Sequence, residues 1–120
     1  MAKRFYVTTP IYYVNGAPHI GTALTTAVCD FERRYRAMRG EPAWFLTGTD
    51  ENATKVTEAA EAAGQAPMPF VDGMSDRFRQ EWKTLRIEYD DFIRTTEPRH
   101  AKVVQAIFER LRERGHVYQD

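Results

Sequence analysis

The sequence predicts an α/β protein, an open parallel sheet with helices on both faces. Two observations carry that expectation. Short β-prone or apolar runs alternate with longer segments of helical periodicity, and the strand-to-helix order repeats along the chain. Such alternation makes βαβ units, in which a helical crossover returns the chain to the same end of the sheet and the strands run parallel.

The first strand lies in Arg4 to Thr9, where Phe5, Tyr6 and Val7 form a β-prone run that stops at Pro10. A loop follows to about Pro18. Ile20, Leu24, Val28, Phe31, Tyr35 and Met38 then recur at three- or four-residue steps as far as Gly40, which predicts an amphipathic helix. Ala43 to Leu46 is nearly continuous in apolar side chains and runs into Thr47-Gly48-Thr49-Asp50, as expected of a strand buried on both faces. Helical sequence resumes at Asn52, continues to Ala63 and breaks at Gly64. It restarts near Pro67 with Phe70, Val71, Met74, Phe78, Trp82 and Leu85 on one side. Tyr89 to Arg94 makes a third strand. Thr96 and Pro98 open a last helix whose apolar stripe is Val103, Val104, Ile107, Phe108 and Leu111, closed by Gly115.

With 120 residues the chain has room for one compact domain, residues 1–120. A three-stranded parallel sheet that leaves a central strand as an edge reads as part of a larger fold. Seventeen Lys and Arg balance seventeen Asp and Glu, so no positive field exists to hold a polyanion by counterion release alone. Cys29 has no partner for a disulfide, and no Cys/His grouping has zinc-ligand spacing. Neither a signal peptide nor a membrane-length apolar run is present, so a cytoplasmic protein without a membrane partner is expected.

The first strand-to-helix turn, Asn15-Gly16-Ala17-Pro18-His19-Ile20-Gly21-Thr22, is neither the dinucleotide fingerprint nor a P-loop. It offers an imidazole at a helix start, a glycine that permits close approach, and N–H groups at the positive end of a helix dipole, which together suit a polyphosphate. Other polar residues have plainer readings. Asp50 or Asn52 could cap the following helix. Tyr12 is a packing residue, Cys29 a small buried hydrophobe, and His100 and His116 surface histidines. The basic residues of the last helix alternate with Glu109 and Glu113, as on a solvated face.

Pro18-His19-Ile20-Gly21 in such a turn resembles the first signature of class I aminoacyl-tRNA synthetases. Tyr6 to Gly16, Phe45 to Glu51, and Asp91 to His100 resemble, in the same order, segments of bacterial methionyl-tRNA synthetases. The resemblance spans nearly the whole chain. It implies the N-terminal half of a Rossmann-like catalytic domain that joins methionine to ATP as methionyl-adenylate, with Mg2+-bound ATP as substrate and no zinc site in this segment. His19, Gly21 and Thr22 would bind ATP, with His19 and Thr22 serving catalysis. Ile11, Tyr13 and Asp50 would bind methionine, the Asp50 carboxylate taking the ammonium. The tRNA would be engaged through the remainder of the synthetase, so the segment alone is expected not to aminoacylate. Three positions depart from the family: Thr22 stands where it has a second histidine, and Asn52 and Ala53 stand where it has histidine and glycine. These departures also fit a degenerate, non-catalytic fragment that binds a ligand or a partner.

Overall fold

The structure, a computed structural model, describes residues 4–119. Its elements are β1 (Phe5–Thr8), β2 (Tyr12–Tyr13), α1 (Ile20–Met38), β3 (Ala43–Asp50), α2 (Thr54–Ala62), α3 (Pro67–Thr84), β4 (Asp91–Arg94) and α4 (Pro98–Glu113). Three strands and the helices stand where periodicity and punctuation place them. The segment expected as a loop differs, because Tyr12 and Tyr13 form a short strand against Thr49 and Asp50. Its cause is length: β3 outruns β1, and β2 pairs with the end of the ladder that β1 does not reach.

All strand pairing is parallel and passes through β3. Leu46 is the register partner of both Thr8 and Asp91, and Thr49 of both Tyr12 and Arg94. Hence β1 and β2 lie in file along one edge of β3, and β4 lies along the other.

Alternation of side chains along β3 sends Phe45, Thr47 and Thr49 to one face, where all three are fully buried. That face carries α1 and α3. Tyr12, the register partner of Thr49, bonds Thr26 of α1 at 3.0 Å, stacks on Phe78 of α3 at a centroid distance of 5.8 Å and meets the Trp82 ring at a 60° tilt, 6.0 Å away. Val14, Cys29, Val56, Val71, Ile87 and Phe92 complete the core. The opposite face holds Tyr6, Trp44 and Leu46, and it stays partly open, with Tyr6 56% exposed. The expectation that β3 is buried on both faces is corrected accordingly.

Helix α1 turns a face other than its apolar stripe toward the sheet. Its apolar stripe points away from the core: Ile20, Leu24, Val28, Phe31, Tyr35 and Met38 are all exposed, and the buried residues are Thr26, Cys29 and Asp30. The polar pair is tolerated inside because each is satisfied. Thr26 bonds Tyr12 and the Thr22 carbonyl, and Asp30 accepts from Arg34 Nε at 2.8 Å and Glu88 N at 3.1 Å. The stripe of α4 is likewise outside, for that helix buries no residue. The Cα radius of gyration, 17.0 Å, accordingly exceeds the roughly 13–14 Å of a compact domain of this length.

Two contacts fix the sheet. The Arg33 guanidinium meets the Asp90 carboxylate at 2.9 and 3.2 Å, and the same carboxylate accepts from Phe45 N at 2.8 Å. One acid thereby joins α1, β3 and the start of β4. At Gly48, a Cβ would sit 2.0 Å from the Ile93 carbonyl oxygen, so only glycine lets β4 close on β3 here.

Gly48→Ala is expected to lower unfolding stability by about 3 kcal/mol in urea titration, because backbone rather than a flexible side chain must yield. Gly73→Ala, exposed within α3 with open space around it, is expected to raise stability by about 0.5–1 kcal/mol. The Arg33 guanidinium holds the Asp90 carboxyl below its ordinary value, and the Phe45 amide adds to this. A depressed carboxyl stabilises the fold above its unfolded pKa, near 3.8, and that contribution is lost as pH falls through the lower folded value. Asp90→Asn should therefore lower stability at pH 7 by about 2 kcal/mol. It should also flatten the decline below about pH 4, read as urea midpoints against pH.

Candidate functional site

Residues 10–19 leave the carboxyl end of β1 and, through β2, run beside the carboxyl end of β3, the end at which open parallel sheets take their ligands. This segment is pinned from below, since Tyr12 and Val14 are buried while Ile11 and Tyr13, between and beside them, are 39% and 58% exposed. A cleft of about 460 Å³ results, lined by Ile11, Tyr13, Asn15, His19, Thr22 and Phe78, among others. Four of the predicted site residues thus meet in one concavity: Ile11, Tyr13, His19 and Thr22. Phe78 was not foreseen as a wall, because its helical spacing marks it only as core.

His19 is the N-cap of α1. Its Nδ1 accepts from Gly21 N at 3.0 Å and Thr22 N at 3.4 Å, while His19 N donates to Thr22 Oγ1 at 3.0 Å, a reciprocal capping box. With Nδ1 accepting these N–H bonds, Nε2 is the ring nitrogen left to donate. Gly21 makes room for this, because a Cβ there would meet His19 Cε1 at 2.9 Å. Two of the helix-start N–H groups offered by the sequence are therefore taken by the histidine itself. Thr22 Oγ1 also donates to the His19 carbonyl at 2.7 Å, so its hydroxyl is committed to the cap.

Asp50 does not line the cleft. It stands at the end of β3 as the register partner of Tyr13, and the two side chains share a face of the sheet. Its carboxylate takes one long bond, from Asn52 N at 3.4 Å, and among the described residues it belongs to no ion pair. Neither Asp50 nor Asn52 caps α2, whose N-cap is Ala53 without a side-chain bond.

The neighbouring acid has the opposite environment. Glu51 has a fully buried side chain; Oε1 accepts from Arg94 Nε at 2.7 Å and Thr49 Oγ1 at 2.9 Å, and Oε2 from Thr96 Oγ1. The Arg94 guanidinium, bonded to Glu51 and then to Asp72 at 2.5 Å, is held more firmly protonated than an ordinary arginine. Sequence reasoning missed this cluster. The available signal was Arg94-Thr95-Thr96 at the carboxyl end of a strand, a rim position. Among the described residues no group of three or more His, Cys, Asp or Glu is placed to hold a metal ion.

Comparison with known proteins gives the arrangement its context. Methionine–tRNA ligases of Thermotoga maritima and Halalkalibacterium halodurans are 50% and 52% identical to this chain over 96% and 97% of its length. The chain spans 18% of each. Among solved structures, the Mycobacterium tuberculosis methionyl-tRNA synthetase in complex with methionyl-adenylate matches with a TM-score of 0.92 and 38% identity, covering 94% of this chain and 22% of that one. The Agrobacterium radiobacter K84 LeuRS–tRNA–LeuAMS ternary complex matches with a TM-score of 0.91 and 26% identity, over 99% of this chain and 16% of that one. A family model described as tRNA synthetases class I (M) matches residues 5–120, and the chain belongs to that family.

Proposed function

We propose that residues 1–120 are the first half of the catalytic domain of a methionine–tRNA ligase working in the cytoplasm, and that they bind methionine and ATP for methionyl-adenylate formation. The observation that carries this reading is the unpaired Asp50 carboxylate at the carboxyl end of β3, next to a cleft walled by Ile11 and Tyr13. A carboxylate left free in that position suits a substrate ammonium, and an apolar wall with one aromatic ring suits a thioether side chain. The likeness to a synthetase solved with methionyl-adenylate supports the same ligands.

In the reaction, the methionine carboxylate attacks the α-phosphorus of Mg2+-bound ATP, forming the mixed anhydride and releasing pyrophosphate. Asp50 holds the ammonium, and this orients the attacking carboxylate. His19 donates from Nε2 to a phosphate oxygen as charge develops there, and the α1 N-terminus adds its positive end. Thr22 acts through the cap, keeping the imidazole turned outward, and Gly21 leaves the space in which it lies. The tRNA is engaged by parts of the enzyme beyond this segment. The exposed stripes of α1 and α4 support that view, since apolar faces of this extent fit a domain whose remaining half packs against them.

Titration calorimetry of the chain with L-methionine is expected to show saturable binding, weakened by about tenfold to a hundredfold in Asp50→Ala. Absence of binding in a folded sample would reject the assignment, and a non-catalytic partner-binding module would then account for Thr22, Asn52 and Ala53 better. His19→Asn keeps a good N-cap but removes the Nε2 donor. It should leave the thermal midpoint unchanged and weaken ATP binding by about tenfold.

A further inference from the structure

Asp50 and Glu51 are adjacent carboxylates with opposite fates, and the contrast says what the end of β4 is for. The Glu51 side chain has 0% exposure, and the Arg94 guanidinium beside it 16%. Thr49 and Thr96 hydroxyls complete the shell of the acid. The backbone is held as well. Glu51 N donates to Thr95 Oγ1 at 2.9 Å, Asn52 Nδ2 reaches the same hydroxyl at 3.4 Å, and Thr95 N donates to Thr49 O at 3.2 Å. Arg94-Thr95-Thr96 therefore grips the chain on both sides of Asp50, while the Asp50 carboxylate itself receives only the long bond from Asn52 N.

Burying a carboxylate and a guanidinium gains little net stability over apolar residues of the same size, whereas it fixes geometry firmly. Arg94 is in turn tied to Asp72 of α3, so the grip is referred to the helix layer and not only to a neighbouring strand. Consecutive residues at a strand end point to opposite sides. Locking Glu51 inward therefore sets the direction in which Asp50 projects. We propose that Arg94 is a positioning residue for the amino acid subsite: through Glu51 it aims the Asp50 carboxylate at the substrate ammonium. The proposal rests on the methionine-binding reading given above.

The test compares L-methionine with 4-(methylthio)butanoate, which keeps the thioether and the carboxylate but lacks the ammonium. Affinities of both are measured by calorimetry on the chain, with near-ultraviolet circular dichroism as the check of folding. The variants are Asp50→Asn, Arg94→Met, and Arg94→Met combined with Glu51→Gln. The double change removes both charges and leaves an amide to meet the threonine hydroxyls, so it decides the matter if the single change does not fold. In the unsubstituted chain methionine should bind more tightly than the analogue, and Asp50→Asn should abolish that preference. The Arg94 variants should reduce the preference by about tenfold, with the affinity of the analogue unchanged. Equal loss for both ligands, or no loss for either, would overturn the positioning role while leaving Asp50 in place. Failure of the unsubstituted chain to bind methionine, or an intact preference in Asp50→Asn, would remove the methionine-binding reading itself and this inference with it.

Discussion

Everything at the site is referred to β3. It is the strand on which β1, β2 and β4 all pair, so its register decides which residues arrive together at the carboxyl end. Tyr13 faces Asp50's position from one edge, and Arg94 faces Thr49's from the other. A slip of one residue would exchange the faces of Asp50 and Glu51, exposing the acid that has partners and burying the acid that has none. Gly48 and Asp90 guard against this slip from opposite ends. The glycine leaves room for the Ile93 carbonyl in the observed register, and the Asp90 carboxylate fastens Phe45 N to the approach of β4.

Three acids in the chain show how burial and partnership go together. Asp30 and Asp90 tie α1 to the residues that lead into β4, each to one arginine and one backbone amide. Glu51 has an arginine and two hydroxyls. Each replaces lost hydration with fixed donors, as a buried carboxylate must. Asp50 is the exception. A partly buried carboxylate with one long bond stands at the place where the sheet offers its ligand crevice, and it is cheapest to maintain if something positively charged visits it.

The order of strands and helices was legible in the sequence because it rests on local periodicity, and the carboxyl-end location of the site follows from a parallel sheet. Ile11, Tyr13, His19 and Thr22 were legible through the family resemblance, and the structure brings them into one cleft. Less could be read of what depends on pairing over distance. That Tyr12-Tyr13 forms a strand depends on β3 being longer than β1, which Pro10 and the composition of the loop conceal. The orientation of α1 is not legible from its apolar stripe, because the side facing the sheet is set by Thr26 and Asp30, whose partners lie at Tyr12 and Glu88. Periodicity reports that a face exists; it does not say which neighbour the face has.

Two of the departures from the family pattern, Thr22 and Ala53, sit at helix starts. A histidine at position 22 would offer a second imidazole at the start of α1. Thr22 instead closes a reciprocal cap with His19, bonding the backbone N–H and carbonyl of the residue whose ring lies over the helix end. One imidazole donor is exchanged for a tighter hold on the other. Ala53 provides the contrasting case, for it caps α2 with no side-chain bond at all, and the start of that helix depends on tertiary packing of Val56 and Ala60. The chain thus spends its polar side chains on holding His19 outward and Glu51 inward, and leaves Asp50 as the group with unmet capacity at the rim.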